Sequence, residues 1–122
     1  MNINIGIDII EIERIKKIIA RNKFFINTIL CYDEINQILQ KKNIYESIAA
    51  RYCAKESFFK CIGKGIKKIQ NLKKIKILNN KNNKPEIFLS ENFKKIYKNF
   101  KFSVSMSHCK KYACAVVLAK YE

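Results

Sequence analysis

The chain has 122 residues and 48% of them are hydrophobic, so it can bury the core of one domain and is too apolar to be disordered. Its 25 lysines and arginines against 10 acids give a net charge of +15, which predicts an anionic partner. That partner is a nucleic acid, an anionic membrane, a phosphorylated small molecule or an acidic protein. Much of the lysine accompanies asparagine and isoleucine, as in proteins encoded by AT-rich genomes.

Several targeting and metal-binding patterns are missing from the sequence. No apolar run approaches the roughly 20 residues of a membrane-spanning helix, and the first residues lack the basic and apolar regions of a signal peptide. The five cysteines show no CxxC spacing, and one histidine is too few for a usual zinc site. We expect a reducing compartment and no secretion: the cytoplasm of a bacterium, or the stroma of a plastid or other organelle in an AT-rich eukaryote.

The first elements are a strand followed directly by a helix. Residues 2–9 alternate isoleucine with polar residues or glycine, which predicts a strand with one apolar face and Asp8 on the other face. The period then changes to that of a helix. Its apolar side holds Ile12, Ile15 and Ile19, and its opposite side holds Arg14, Lys17 and Arg21.

The remaining elements follow from periodicity and from glycine positions. Residues 24–44 suit short helices, one of which starts near Asp33 and Glu34, and residues 46–62 form the strongest helix, ended by Gly63, Lys64 and Gly65. A hairpin is predicted at 74–78 and 86–89, a helix at 90–100, and strands at 102–106 and 112–119. The fold class is therefore α+β, with a small and mainly antiparallel sheet.

Three charged residues are candidates for chemistry. Asp8 is either a solvent-facing strand residue or a carboxylate that needs a partner, such as a metal, among branched aliphatic neighbours. Glu56 and Lys60 have the spacing of an ordinary helix salt bridge, yet they share a face with small and apolar residues rather than with Arg51 and Lys55. If strand and helix pack together, Asp8 and Glu56 could hold Mg²⁺, which takes one or two carboxylates together with phosphate oxygens and water.

Other candidate features have ordinary structural interpretations beside the functional ones. Gly63 and Gly65 follow a helix, which excludes a Walker or Rossmann loop and favours a helix stop, although glycines also permit close approach to a ligand. His108 closes a strand and is either structural or a phosphate contact. Nine lysines and no acid lie between Glu56 and Glu86, which indicates a solvated face, nucleic-acid binding or phosphate attraction, and no helix-turn-helix, zinc finger or RNP motif is present.

Three segments resemble the motifs of the holo-[acyl-carrier-protein] synthase family. Their order and separations also match, so the resemblance covers nearly the whole chain. Phe58 and Phe59 are bulkier than the residues common in the family. The segments are Gly6-Ile7-Asp8 with Glu11, Ile12 and Arg14; RYCAKESFFK from Arg51 to Lys60, continuing to Gly63-Lys64-Gly65; and Val104-Ser105-Met106-Ser107-His108 with Tyr112 and Ala113.

The resemblance implies a single domain over residues 1–122 with the 4′-phosphopantetheinyl transferase fold, a small sheet wrapped around one long helix. Such enzymes move 4′-phosphopantetheine from coenzyme A to a serine of apo acyl carrier protein, release adenosine 3′,5′-bisphosphate and support fatty acid biosynthesis. The single-unit type assembles as a homotrimer with active sites between subunits.

The resemblance also implies roles for individual residues. Asp8 and Glu56 would hold Mg²⁺, Glu56 would accept the serine proton, and Lys60 would stabilise the pyrophosphate and the leaving phosphate. Arg14 matches a residue that docks on an acidic helix of the carrier protein, and the helix predicted above adds Lys17 and Arg21 to that stripe. The positions that match coenzyme A contacts are Arg51, Lys60, Gly63, Gly65 and His108.

Two alternatives belong to other classes of protein. A nonenzymatic basic module that binds RNA or DNA explains the net charge but not the positions of Asp8 and Glu56. A structural trimer subunit without activity would be expected to lack one of those two acids.

Overall fold

The structure is a computed structural model that describes residues 1–63 and 69–122. Its elements follow one another with short connections. In chain order they are β1 (Asn2–Glu11), α1 (Ile12–Arg21), α2 (Phe25–Ile29), α3 (Tyr32–Leu39), α4 (Ile44–Cys61), a 3₁₀ helix (Ile69–Lys74), β2 (Ile75–Asn79), β3 (Pro85–Leu89), α5 (Glu91–Ile96), β4 (Phe100–His108) and β5 (Tyr112–Tyr121).

The described strands form two antiparallel sheets. The larger sheet has the order β1-β5-β4, so the chain's last strand lies in the middle. In this sheet Ala115 of β5 stands between Asp8 of β1 and Met106 of β4. The smaller sheet is the hairpin of β2 and β3. Helix α4 packs against β1 and β5, and it also contacts β2 and β4.

Helix α4 is the centre of the molecule because it is buried on nearly every side. Asn43 caps its start, where the side-chain oxygen accepts hydrogen bonds from the backbone N–H groups of Tyr45 and Glu46. Gly63 follows its end with a φ of +76°, a left-handed conformation that glycine adopts without strain. Its buried residues come from all faces and include Ile48, Ala49, Ala50, Arg51, Cys53, Ala54, Lys55, Ser57, Phe58, Phe59 and Cys61.

The two bulky phenylalanines of α4 belong to an aromatic cluster. The Phe58 ring is 4.8 Å from that of Phe102 in β4 and 6.2 Å from that of Phe93 in α5. Phe59 meets the Phe58 ring edge-on at 5.3 Å. Their size is therefore explained by packing between α4, α5 and β4, since aromatic pairs at these separations stabilise a core beyond their buried area.

A fully buried ion pair joins α4 to three neighbouring elements. The Lys55 ammonium lies 2.7 Å from a Glu34 carboxylate oxygen, and neither side chain is exposed. Lys55 also donates to the Ile29 carbonyl at the end of α2, and Glu34 accepts from the Ile77 N–H in β2. Burial lowers the pKa of Lys55, and the Glu34 carboxylate acts in the opposite direction. The other Glu34 contact, from the Cys31 N–H, closes the first turn of α3.

The structure confirms the predicted fold class, with a small antiparallel sheet around one long helix. The helix predicted at 46–62 is α4, and the hairpin predicted at 74–78 and 86–89 is β2 and β3. The helix predicted at 90–100 is too long, because α5 ends at Ile96 and Phe100 already begins β4. None of the helices in residues 1–63 and 69–122 has the length and apolar character needed to cross a bilayer.

The orientation of the first strand differs from what its pattern suggests. Gly6 and Ile10 are buried and Asp8 is half-buried against α4, whereas the isoleucine face of β1 is turned outward. Alternation shows which residues share a face, but it does not show which face is covered. The outward residues are Ile3, Ile5, Ile7 and Ile9, each between 60% and 66% exposed.

Removing one partner of the buried ion pair should destabilise the protein strongly. In Glu34→Gln the Lys55 ammonium would stay buried without its counter-charge, and we expect a loss of about 3–5 kcal/mol in the free energy of unfolding. Urea denaturation followed by circular dichroism measures this loss.

Asp33→Asn is the matched control, because Asp33 is next to Glu34 on α3 and forms an exposed 2.9 Å pair with Lys76 of β2. Its expected loss is below about 1 kcal/mol. Equal losses in the two variants would contradict the importance of the buried pair.

Candidate active site

The site begins where β1 crosses α4 at Gly6. A Cβ on Gly6 would collide with the Ser57 carbonyl oxygen and would lie 2.7 Å from the Cys61 backbone nitrogen. Only glycine permits this approach of strand and helix. The close crossing brings the next residue on the same face, Asp8, onto the last two turns of α4.

Asp8 and Lys60 meet at that crossing. The Lys60 ammonium lies 3.1 Å from an Asp8 carboxylate oxygen and 3.1 Å from the Ile7 carbonyl oxygen. The Asp8 side chain is 18% exposed, whereas that of Lys60 is 51% exposed. The pair therefore stands at the edge of the molecule, where a carboxylate and an ammonium are both accessible to a solute.

Glu56 shares this face of α4, one turn before Lys60. The pKa of the Tyr52 phenol is raised by burial, by a hydrogen bond to Glu56 and by the charges of Glu56 and Asp8. The pKa of the Cys53 thiol is raised by burial and by Asp8, with a smaller contribution from Glu56. Because both groups respond to both carboxylates, Asp8 and Glu56 act on one region beside α4.

The two carboxylates have the chemistry of a magnesium site. Within residues 1–63 and 69–122 there is no group of three or more His, Cys, Asp or Glu side chains that could hold a metal. Two carboxylates are nevertheless what Mg²⁺ typically takes from a protein, with phosphate and water supplying the rest. Asp8 and Glu56 fit that donor set.

His108, at the end of β4, contacts the other end of α4. Its Nδ1 atom is 3.2 Å from a carboxylate oxygen of Glu46, which is in the first turn of α4. Both side chains line an open cavity of about 610 Å³ to which Lys41, Lys42 and Lys110 also contribute. The structure does not bring His108 into contact with Asp8 or Lys60, and its predicted contact with coenzyme A stays a prediction.

Arg51 is not part of the Asp8 and Lys60 group. It precedes Lys60 by about two and a half turns and therefore points to the opposite side of α4, and it is only 2% exposed. The guanidinium donates to the Ile77 carbonyl and to the Gln37 side chain at 3.2 and 3.3 Å. The face of α4 that carries Arg51 and Lys55 is therefore buried, whereas Glu56 and Lys60 on the other face are partly exposed. The predicted contact of Arg51 with coenzyme A stays a prediction.

Of the two glycines predicted to contact coenzyme A, the structure describes only Gly63. Gly63 is exposed, and within residues 1–63 and 69–122 no atom outside its chain neighbours lies within 4 Å of where its Cβ would stand, so its positive φ is the constraint shown at this position. Gly65 lies outside the described residues, as does Lys64.

The basic stripe predicted on α1 is present. Ile12 and Ile15 are buried against the core, and Ile19 is partly buried. Arg14, Lys17 and Arg21 are all exposed on the opposite side. None of the three has an ion-pair partner among the parts of the chain that the structure describes.

Sequence reasoning missed the partner of His108. Glu46 precedes Cys53 by seven residues and Lys60 by fourteen, so the three share one face of α4. The spacing alone could therefore have shown that Glu46 lies on the same face as Lys60. The contact of Glu46 with His108 could not be predicted in this way, because it joins residues 62 positions apart through the packing of α4 on the sheet.

A family model described as the 4′-phosphopantetheinyl transferase superfamily matches residues 4–117. The match spans β1 with Asp8, all of α4 and most of β5. The chain therefore belongs to the 4′-phosphopantetheinyl transferase superfamily.

Within this superfamily, the chain is similar to proteins and solved structures named holo-[acyl-carrier-protein] synthase. The holo-[acyl-carrier-protein] synthase of Chloroherpeton thalassium is 43% identical over 115 residues, which cover 93% of this chain and 94% of that protein. The enzyme of that name from Helicobacter pylori, solved in complex with coenzyme A, is 36% identical with a TM-score of 0.82 and coverage of 95% and 99%. That from Bacillus anthracis, in complex with CoA (3′,5′-ADP), is 32% identical with a TM-score of 0.81 and coverage of 98% and 96%.

Proposed function

We propose that this protein is a holo-[acyl-carrier-protein] synthase that transfers 4′-phosphopantetheine from coenzyme A to a serine of apo acyl carrier protein, a reaction that supports fatty acid biosynthesis. The observation that carries the proposal is the pairing of Asp8 with Lys60 beside Glu56, in a chain whose relatives bear that name. The nucleic-acid-binding alternative finds no support in these relatives.

The reaction would join the serine oxygen to the phosphorus that carries pantetheine. The bond from that phosphorus to the adenosine 3′,5′-bisphosphate oxygen breaks, and the bisphosphate leaves. Negative charge spreads over the phosphoryl oxygens in the transition state. The half-exposed Lys60 ammonium stabilises this charge and the leaving phosphate. Glu56 accepts the serine proton.

We also propose that the enzyme depends on Mg²⁺, held by Asp8 and Glu56. When bound, the ion would neutralise phosphate charge that the protein offsets only in part. Asp8 is suited to this role because it is mostly shielded from water while keeping one oxygen beside Lys60. Arg51, Gly63, Gly65 and His108 remain proposed coenzyme A contacts, together with Lys60.

The outward isoleucine face of β1 supports the proposed homotrimer. It continues across the sheet onto Val116 and Leu118 of β5, the register partners of Ile7 and Ile5. A contiguous apolar sheet face of this kind marks an interaction site. A second and third copy of this chain are its proposed occupants, with active sites between subunits.

The basic stripe of α1 is the proposed docking surface for the carrier protein. Arg14, Lys17 and Arg21 form one exposed row that makes no ion pair within the described part of the chain, and such a row of cations is complementary to an acidic helix. Lys16, on the flank of the row, is instead engaged over the Tyr45 ring at 5.3 Å.

The family match over residues 4–117 supports one catalytic domain over residues 1–122. The proposed location is the cytoplasm of a bacterium or the stroma of a plastid or other organelle. No membrane or nucleic-acid partner is proposed.

Purified protein with coenzyme A and Mg²⁺ should modify an apo acyl carrier protein. The carrier should gain the mass of one phosphopantetheine, as measured by intact-protein mass spectrometry. Glu56→Gln removes the proposed metal ligand and base with little change in shape, and it should abolish the mass gain while circular dichroism stays unchanged. Absence of modification with several carrier proteins would refute the proposed function, and turnover by Glu56→Gln would refute the role of Glu56.

The protein should behave in solution as a particle of three times the 14.4 kDa chain mass. Ile5→Lys places a charge in the middle of the outward isoleucine face and should reduce the particle to a monomer in light scattering after size exclusion. Leu39→Lys is the matched control, since Leu39 and Ile5 are equally exposed at 65%. A trimer that survives Ile5→Lys would place the interface elsewhere.

Reversal of charge at Arg14 should weaken carrier binding more than coenzyme A binding. In Arg14→Glu we expect at least a roughly tenfold rise in the dissociation constant of the carrier complex at low salt, because an attractive contact becomes repulsive. Titration calorimetry with each ligand separates the two effects. Lys98→Glu makes the same change in net charge in the connection between α5 and β4 and should leave both affinities nearly unchanged; equal losses in the two variants would exclude specific docking by Arg14.

A further inference from the structure

The ion pair between Glu46 and His108 lies apart from the proposed metal carboxylates. Glu46 belongs to the first turn of α4, and His108 is the last residue of β4. His108 is the chain's only histidine, and its side chain is 46% exposed, whereas that of Glu46 is 19% exposed. A carboxylate shielded in this way holds one edge of an imidazole whose other edge is open to the cavity.

The contact determines which nitrogen of His108 carries a hydrogen. At 3.2 Å from a carboxylate oxygen, Nδ1 must be protonated, because two acceptors would repel each other. In the neutral ring that leaves Nε2 as an acceptor, which cannot donate to a phosphate oxygen. In the imidazolium both nitrogens donate, so one ring can bind Glu46 through Nδ1 and a phosphate through Nε2.

The other groups around the cavity favour an anion. Lys41 and Lys42 come from the connection between α3 and α4, and Lys110 comes from the turn between β4 and β5. The Cys109 thiol is next to His108 in that turn. Backbone N–H groups of the turn lower its pKa, and the Glu46 charge acts in the opposite direction. Glu46 is the one acid among the described lining residues, and it faces His108.

We propose that Glu46 is a positioning residue for substrate binding: it accepts a hydrogen bond from Nδ1–H of His108 and orients the ring so that its imidazolium form donates through Nε2–H to a phosphate of coenzyme A. The inference rests on the proposed function, since it names the part of the donor that this cavity takes. It also explains why Glu46 lies among lysines, because a carboxylate at that position would otherwise weaken phosphate binding. The 3′-phosphate and the pyrophosphate of coenzyme A share the required chemistry.

The test is a pH series of the Michaelis constant for coenzyme A. In Glu46→Gln the ring loses its counter-charge, and we expect the KM at pH 7.5 to rise about fivefold to tenfold, within the range of a charged hydrogen bond, with a smaller effect on kcat. At pH 6 the difference from wild type should narrow, because a lower pH favours the imidazolium form of any histidine, with or without a neighbouring carboxylate. A KM that equals that of wild type at both pH values would overturn the inference.

A double-variant cycle separates positioning from a general loss of structure. His108→Gln should raise the KM at both pH values, and adding Glu46→Gln in that background should change it little further. Additive effects would mean that Glu46 acts without His108 and would overturn the inference. Asp33→Asn, which removes an acid from an exposed pair far from this cavity, should leave the KM unchanged.

Two further comparisons complete the test. With 3′-dephospho-coenzyme A as donor, loss of the Glu46→Gln penalty identifies the 3′-phosphate as the ligand of His108, and persistence identifies the pyrophosphate. Failure of the wild-type protein to modify any carrier refutes the proposed function itself. Normal wild-type transfer with no Glu46→Gln penalty refutes only the role of Glu46.

Discussion

The buried ion pair of Glu34 and Lys55 is the contact on which the arrangement of the other elements depends. Neither charge can leave water alone without a large penalty, so the elements that supply the partners must assemble together. Lys55 of α4 takes the Ile29 carbonyl of α2 as a second partner, and Glu34 of α3 takes the Ile77 N–H of β2. With Lys55 fixed, the turn of about 100° per residue places Glu56 about 100° and Lys60 about 140° around the helix from Lys55, on the side where β1 crosses.

Helix α4 thus carries two polar faces with different properties. On the face of Arg51 and Lys55, the charged groups have protein partners and no access to solvent. On the face of Glu46, Glu56 and Lys60, the groups are partly exposed. Lys60 pairs with Asp8 of β1, and Glu46 pairs with His108 of β4. The first face stabilises the fold, and the second leaves charge available for a substrate. A helix that is buried almost all round can hold both because its small residues let strands approach closely.

Local pattern predicted the elements well because helices and strands depend on short-range periodicity. It could not predict which faces would be covered. The isoleucines of β1 are regular enough to define a strand, yet the glycine opposite them decides which side meets α4. The pairing of Glu34 with Lys55 spans 21 residues and has no local signature. The boundary of α5 was misjudged because the aromatic residues after Ile96 suit a helix and a strand equally until they join the cluster around Phe58.

Part of the candidate site could be predicted because two of its charged residues stand in apolar sequence surroundings. Asp8 stood out as a carboxylate in a strand of aliphatic residues, and Lys60 as a charge on a small-residue face; the structure brings these two together. Arg51 was assigned to coenzyme A by resemblance, and that role stays a prediction. Its burial could not be predicted, since a helical wheel does not show that both sides of α4 are covered. The net charge of +15 indicated anionic partners, but only the positions of the few acids divide it into a stripe on α1, a lysine beside Asp8 and a basic cavity around His108.

Strand β1 has two surfaces with separate purposes in the proposed enzyme. One surface presents Asp8 to α4, and the other presents a row of isoleucines that a neighbouring copy would cover. A displacement of the strand by one residue would exchange the two surfaces, removing the carboxylate and the contact between copies at the same time. The association of the copies and the chemistry at Asp8 would therefore both depend on the position of β1. In a dilute solution where copies separate, the specific activity of each chain would fall with concentration, although no residue of the site had been altered.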